Sequence, residues 1–75
     1  MKRLPSLPAR KIIAALEKAG FVIVRIKGTH HFLRHRSDPT RTTVVSYHAR
    51  DLPPGTLRAI LKQAGLTPEE FIDLL

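Results

Sequence analysis

Histidines are the residues of this chain whose type and spacing could do chemistry. His30, His31 and His35 lie within six residues, and His48 follows a later run of β-branched residues. An imidazole gains and loses a proton near neutral pH, so histidine can act as a general acid or a general base. Cleavage of RNA by its own 2′-hydroxyl needs one proton removed, another delivered to the leaving 5′-oxygen, and charge neutralised on the phosphate. These side chains could supply that chemistry without a metal or a cofactor.

Two other interpretations of the histidines remain open. A metal site is disfavoured because His30 and His31 would point to opposite faces of a strand. His31 and His35 would share a face but lie about 13 Å apart along a strand, too far for bonds of about 2 Å to one ion. We therefore expect no metal and no cofactor. Residues 30–36 could instead form a solvated basic strand that faces water or contacts phosphate without catalysis.

The charge of the chain predicts a polyanionic partner. Thirteen Lys and Arg residues against six Asp and Glu residues give a net charge of +7 with neutral histidines. Such an excess favours nucleic acid, an anionic membrane or an acidic protein as partner. Lys27, Arg25 and Arg34 flank the histidines, and we predict that they contact RNA phosphates, although each could be ordinary surface charge. A basic surface could also serve an acidic inhibitor protein.

Length and composition limit the fold and the location. A chain of 75 residues, 43% of them hydrophobic, is sufficient for one globular domain over residues 1–75, with a core at about 6–66 and a short helix over 67–75. No cysteine is present, which excludes disulfides and thiolate metal sites. No segment approaches the ~20 apolar residues of a membrane span, and no apolar leader is visible, so we expect a cytoplasmic protein with no membrane contact.

Apolar periodicity predicts a helix followed by three strands. Ser6 is the expected N-cap of the helix, with Pro8 in its first turn, and Gly20 is expected to end it. Runs rich in β-branched residues predict strands over 21–27 and 42–47. A weak alternation over 30–35, with Phe32 and Leu33 on opposite faces, predicts the strand between them. The short connections, Gly28-Thr29 and residues 36–40, favour an antiparallel meander. We expect all three phenylalanines in the core: Phe21, Phe32 and Phe71.

Hairpin geometry predicts how the second and third strands pair. If the two strands pair on either side of the 36–40 loop, the residue numbers of each cross-strand pair sum to about 77. This register brings Tyr47 and His48 near His30 and Thr29. His48 is then a candidate second proton-transfer group or phosphate contact, with an exposed loop histidine as the alternative.

Two more helices are predicted after the strands. Asp51 is the expected N-cap of the first, with Pro53 and Pro54 at its start and Gly65 after its end. Thr67 and Glu70 have the spacing of a capping box for a short last helix. The predicted fold class is α+β, in the α-β-β-β-α order of a double-stranded RNA-binding domain (dsRBD). It has a three-stranded antiparallel sheet with two helices on one face, plus the short C-terminal helix.

The segment Gly28-Thr29-His30-His31-Phe32 resembles the Gly-Ser-His motif of the HicA, or YcfA-like, toxin family. Threonine in place of serine keeps the hydroxyl group. Residues 11–21 are similar to the first helix and strand of the family, and residues 51–66 are similar to its last core helix. The resemblance covers roughly residues 9–66.

The resemblance implies a dsRBD-like fold, cleavage of mRNA as an mRNA interferase, and neutralisation by a HicB-type antitoxin. It places the catalytic histidine at His30, with His31 as the less favoured candidate, and assigns the turn to Gly28 and Thr29. The alternative function is a non-catalytic dsRBD-like RNA-binding module, which would need no imidazole beside the turn. A third class is a protein that binds a folded acidic partner, and salt-dependent RNA retention would separate this class from the other two.

Overall fold

The computed structural model describes residues 3–75, so the first two residues of the predicted domain lie outside the described residues. Three helices and three strands follow one another in the predicted order. Their bounds are α1 (Ala9–Lys18), β1 (Phe21–Lys27), β2 (His30–His35), β3 (Thr42–Ser46), α2 (Pro54–Ala64) and α3 (Pro68–Ile72).

The sheet is the predicted antiparallel meander, with strand order β1-β2-β3. His30 pairs with Ser46 and Arg34 pairs with Thr42, which is one residue from the predicted register. β3 ends at Ser46, one residue earlier than predicted. The Tyr47 N–H nevertheless donates to the Thr29 carbonyl at 2.7 Å, so the chain after β3 does pass beside the turn as expected.

Both long helices pack against the same face of the sheet, because their apolar stripes have to be buried against its apolar side. The α+β class and the dsRBD-like arrangement are therefore confirmed. The largest fully buried side chains come from every layer of this packing: Phe21, Phe71, Ile12, Leu16, Leu33, Leu57, Leu61 and Val45.

The starts of α1 and α2 differ from the prediction. Ser6 and Asp51 do not cap these helices; the N-cap residues are Pro8 and Pro53, with extended backbones and no side-chain cap. The physical reason is a long-range backbone pair. The N–H of Leu7 donates to the carbonyl of Leu52 at 3.3 Å, and the N–H of Leu52 donates back at 2.7 Å. Because this bridge needs extended backbone just before each proline, neither helix can begin earlier.

The capping box of α3 is confirmed. The Glu70 N–H donates to the Thr67 hydroxyl at 3.1 Å, and the Thr67 N–H donates to the Glu70 carboxylate at 2.9 Å. The predicted glycine after α2 is also confirmed, since Gly65 has a φ of 74°. Within residues 3–75, no helix combines the length and apolar character that a membrane crossing needs.

The capping box predicts a pH dependence of stability. Hydrogen bonding to Thr67 holds the pKa of Glu70 below its ordinary value of 4.5; the Thr67 N–H contributes most and the Thr67 hydroxyl contributes less. A lowered folded pKa means that the stabilisation is present above the ordinary value and is lost as the pH falls through the folded value. We expect Glu70→Gln to lower the melting temperature at pH 7, and to lower it less at pH 3. Equal losses at both pH values would contradict the prediction.

Candidate active site

The turn between β1 and β2 presents His30. Lys27 pairs with His30, so Gly28 and Thr29 are the two central residues of the hairpin turn. Gly28 has a φ of 59°, and no residue other than glycine has a positive φ among those described, so Thr29 has a negative one. This sign pattern matches a type II′ turn, which takes glycine at its first central position. A Cβ on Gly28 would meet nothing within 4 Å, so the backbone conformation, not lack of space, requires glycine.

A β-bulge in β1 decides which side chains share a face with His30. The register shifts between Ile23 and Arg25, which leaves Val24 as an extra residue. Side chains alternate along a regular strand, so Phe21 and Arg25 would otherwise lie on the same face. Because of the extra residue, Arg25 lies on the opposite face of the sheet from Phe21, and the residues after it continue that alternation.

The bulge therefore places basic side chains on the face of the sheet that the helices leave open. Leu33 of β2 is buried against the helices, so its neighbours Phe32 and Arg34 point to the open face. Arg25 pairs with Phe32, and its guanidinium lies 5.8 Å from the centroid of that ring. We call the exposed basic residues of this side the basic face: Arg25, Lys27, His30 and Arg34.

The basic face joins four of the five residues before the 36–40 loop that the sequence singled out for catalysis or phosphate contact; the fifth, His31, lies on the other face. Lys27 is the direct cross-strand partner of His30. Paired residues have Cβ atoms about 5 Å apart, so an ammonium group and an imidazole can reach the same phosphate. Arg34 lies four residues further along β2, about 13 Å from His30, a distance that spans neighbouring nucleotides.

Phe32 is not a core residue, contrary to the prediction. Its partners on both sides, Arg25 and Val44, lie on the face that carries no helix, and its ring is only half-buried. Phe21 and Phe71, in contrast, are buried as predicted. The difference arises because hydrophobicity alone does not indicate which face of the sheet the helices cover.

The imidazole of His30 is exposed and unengaged. Among residues 3–75 it makes no hydrogen bond and no ring contact. Both ring nitrogens are therefore open to an incoming group. An imidazole that is open in this way can reach a proton of a bound substrate.

His31 points to the opposite face and is engaged. Its Nδ1 lies 3.2 Å from the Thr29 carbonyl oxygen and donates to it when protonated. Its ring packs on Tyr47 with centroids 5.0 Å apart. The Thr29 carbonyl thus accepts from both His31 and the Tyr47 N–H, which ties the turn to the end of β3.

His35 links β2 to the end of α1, a role that the sequence analysis missed. Its Nδ1 accepts the Ser37 N–H at 3.1 Å, so Nε2 carries the proton and donates to the Ala19 carbonyl at 3.0 Å. The ring stands at 90° to Phe21 with centroids 5.2 Å apart. A Cβ on Gly20, whose φ is 101°, would lie 2.9 Å from Nε2. The glycine that ends α1 therefore also makes room for the His35 imidazole. In the sequence, the only sign of this contact is the glycine just before β1.

His48 is exposed in the segment between β3 and α2. Both the proton-transfer interpretation and the exposed-loop interpretation of this residue are compatible with that position. His48 lies between two open clefts. Ser46 and Arg50 contribute to the first cleft, and Arg10 and Tyr47 to the second. Because Ser46 is the partner of His30, the first cleft begins next to the basic face.

Two acidic side chains, Asp38 and Glu70, accept hydrogen bonds that hold a turn and a helix start. Asp38 accepts from the Thr40 hydroxyl at 2.6 Å and from the Thr40 N–H at 3.1 Å, and these bonds hold the pKa of Asp38 below its ordinary value. No group of three or more His, Cys, Asp or Glu side chains is placed to hold a metal ion within residues 3–75.

The part of the chain that contains the turn and the sheet matches a known family. Residues 9–66 match the model of a family described as HicA toxin of bacterial toxin-antitoxin. The chain belongs to the HicA toxin family. The match covers α1, the whole sheet, α2 and every residue of the basic face, and it leaves α3 outside. No individual curated protein matches this HicA chain.

A structural role for His35 predicts a loss of stability. Two hydrogen bonds at about 1 kcal/mol each and an edge-on ring contact of about 1 kcal/mol disappear in His35→Ala. We expect the free energy of unfolding to fall by ~2–3 kcal/mol in urea titrations. Arg34→Ala, on the exposed neighbour, is the control and should stay within ~0.5 kcal/mol. Equal midpoints for His35→Ala and the unaltered chain would show that the contacts contribute nothing.

Proposed function

We propose that this HicA toxin is an mRNA interferase that cleaves single-stranded RNA, with His30 as the catalytic residue. The observation that carries the proposal is the placement of an exposed, unengaged imidazole on one face with Lys27, Arg25 and Arg34. Toxins of this family are ribonucleases in general. Action on mRNA would take place in the cytoplasm.

RNA would lie along the basic face with its phosphates toward the cationic side chains. The 2′-oxygen attacks the adjacent phosphorus, the bond to the 5′-oxygen breaks, and a 2′,3′-cyclic phosphate and a 5′-hydroxyl result. His30 transfers one of the two protons, from the 2′-hydroxyl or to the 5′-oxygen. Lys27, its cross-strand partner, is placed to neutralise the charge that grows on the phosphate.

The other candidate residues take distinct roles in this proposal. Gly28 and Thr29 form the turn that holds His30 at the start of β2. His31 is a positioning residue, because its ring is occupied with the Thr29 carbonyl and Tyr47 on the other face. His48, exposed beside the cleft that begins at Ser46, is the better candidate for the second proton transfer.

Phe32 adds a stacking surface to the basic face. Its half-buried ring lies under the guanidinium of Arg25, with centroid and guanidinium carbon 5.8 Å apart. Aromatic rings with neighbouring arginines bind single-stranded nucleic acid by stacking on its bases. An unpaired base next to the scissile phosphate could stack here, which favours a single-stranded substrate.

Membership of a toxin-antitoxin family implies an antitoxin partner. We propose a HicB-type antitoxin with an acidic surface, because a net charge of +7 attracts such a surface. The alternative function is a non-catalytic RNA-binding module. Its support is that Arg25, Lys27 and Arg34 share one face and could hold phosphates without any help from His30.

Catalysis by His30 predicts a selective loss of cleavage. Purified protein is incubated with end-labelled single-stranded RNA in EDTA, after each variant has been shown to be folded by thermal melting. We expect His30→Ala to cut the rate by about 100-fold or more, because general acid–base catalysis contributes that much. His31→Ala, on the opposite face, is the comparison, and we expect it to lower the rate far less, because His31 only helps to hold the turn. Cleavage by His30→Ala at the rate of the unaltered chain would refute the catalytic assignment; RNA binding without any cleavage would favour the binding module.

Phosphate contact by the basic face predicts a change in salt dependence. We expect Lys27→Gln and Arg25→Gln each to reduce the slope of log binding constant against log salt by about 0.7, the value for one phosphate contact on a single strand. Lys62→Gln, on the exposed side of α2, is the control and should leave the slope unchanged. If Lys27→Gln and Arg25→Gln have the same slope as Lys62→Gln, the RNA does not bind on the basic face.

A further inference from the structure

The outer edge of β1 carries an unusual amount of exposed apolar surface. β1 pairs only with β2, so one side of its backbone is unpaired in the sheet. Most of the large hydrophobic side chains exposed in residues 3–75 belong to this strand: Val22 at 42%, Ile23 at 38%, Val24 at 47% and Ile26 at 58%. Unpaired edge backbone with apolar side chains is a template for an additional strand.

The apolar residues lie on both sides of the edge. Val22 pairs with Arg34 of the open face, whereas Ile23 pairs with Leu33 on the helix side, and Ile26 pairs with His31 on that side. A helix or a flat surface would cover only one of the two faces. A strand alternates its side chains between the faces, so a strand laid along β1 would reach both.

Charge indicates which strand this edge accepts. β1 has the sequence FVIVRIK, with two basic residues and no acidic one, and both basic residues belong to the open face. Basic side chains and a bulge are features that keep an edge from pairing indiscriminately. A second copy of this chain would bring another net charge of +7, so like charges oppose self-pairing. A strand with acidic residues would instead be attracted by Arg25 and Lys27.

We propose that the β1 edge binds a β-strand of an acidic partner protein and extends the sheet to four strands. The bound strand places apolar side chains beside Ile23 and Ile26, and acidic side chains beside Arg25 and Lys27. Neighbouring strands lie about 4.8 Å apart, so the added strand lies roughly 10 Å from β2 and His30. Its carboxylates then compete with RNA phosphates for Lys27. The inference rests on the proposed antitoxin partnership, which identifies the acidic protein.

The test measures binding of the purified antitoxin of the same toxin-antitoxin system. Val22→Glu and Ile23→Glu place one acidic residue on each side of the edge, away from the turn. Leu75→Glu, at an exposed apolar residue outside β1 (51% exposed), is the matched control. We expect both β1 variants to weaken binding by about 10-fold or more and the control to change it less than about two-fold. Free Ile23→Glu should still cleave RNA, and amide hydrogen exchange of β1 should slow in the complex.

Each other outcome overturns the inference in a recognisable way. Unchanged antitoxin binding by both β1 variants would refute the edge site and leave the partnership intact. No binding by the unaltered chain would refute the partnership itself, and the edge site with it. A free toxin that is dimeric, and becomes monomeric in the β1 variants, would make the edge a self-association surface. Loss of RNA retention in these variants, with antitoxin binding intact, would make it an RNA surface.

Discussion

The pairing of β1 with β2 is the constraint on which the candidate site depends. Two features set it, the turn at Gly28 and the bulge at Val24. Side chains alternate with a period of two, so a shift of one residue transfers a whole run of side chains to the other face. Before the bulge, β1 contributes Phe21 to the core; after it, the strand contributes Arg25 and Lys27 to the open face. One strand can thereby serve both the packing and the basic face.

The three histidines of β2 differ in their contacts according to the face they occupy. His31 and His35 lie on the helix side, where the Thr29 and Ala19 carbonyls and two aromatic rings engage them. His30 lies on the side that no helix covers, and nothing in residues 3–75 engages it. The same geometry that uses two imidazoles of β2 to hold the turn and the helix end therefore leaves the third without such a contact among the described residues.

Long-range backbone and side-chain contacts hold the small domain together where local caps are missing. The bridge between Leu7 and Leu52 orders the starts of α1 and α2. Arg41 donates from Nε to the Ala64 carbonyl at 2.8 Å and lies 5.5 Å from the centroid of the Phe21 ring, which ties the loop after β2 to the end of α2. Arg41 is thus used by the fold, whereas Arg25, Lys27 and Arg34 share the open face of the sheet.

The sequence by itself determined the features that depend on neighbouring residues. Apolar periodicity located the elements, Gly28 and Gly65 marked backbone with positive φ, and Thr67 with Glu70 formed the predicted capping box. The motif around His30 indicated the family. Only the tertiary structure decided the proline starts of α1 and α2, the exposure of Phe32, the bulge and the role of His35. These depend on strand register, on the Leu7–Leu52 bridge and on the face that the helices cover, all of which join residues far apart in the chain.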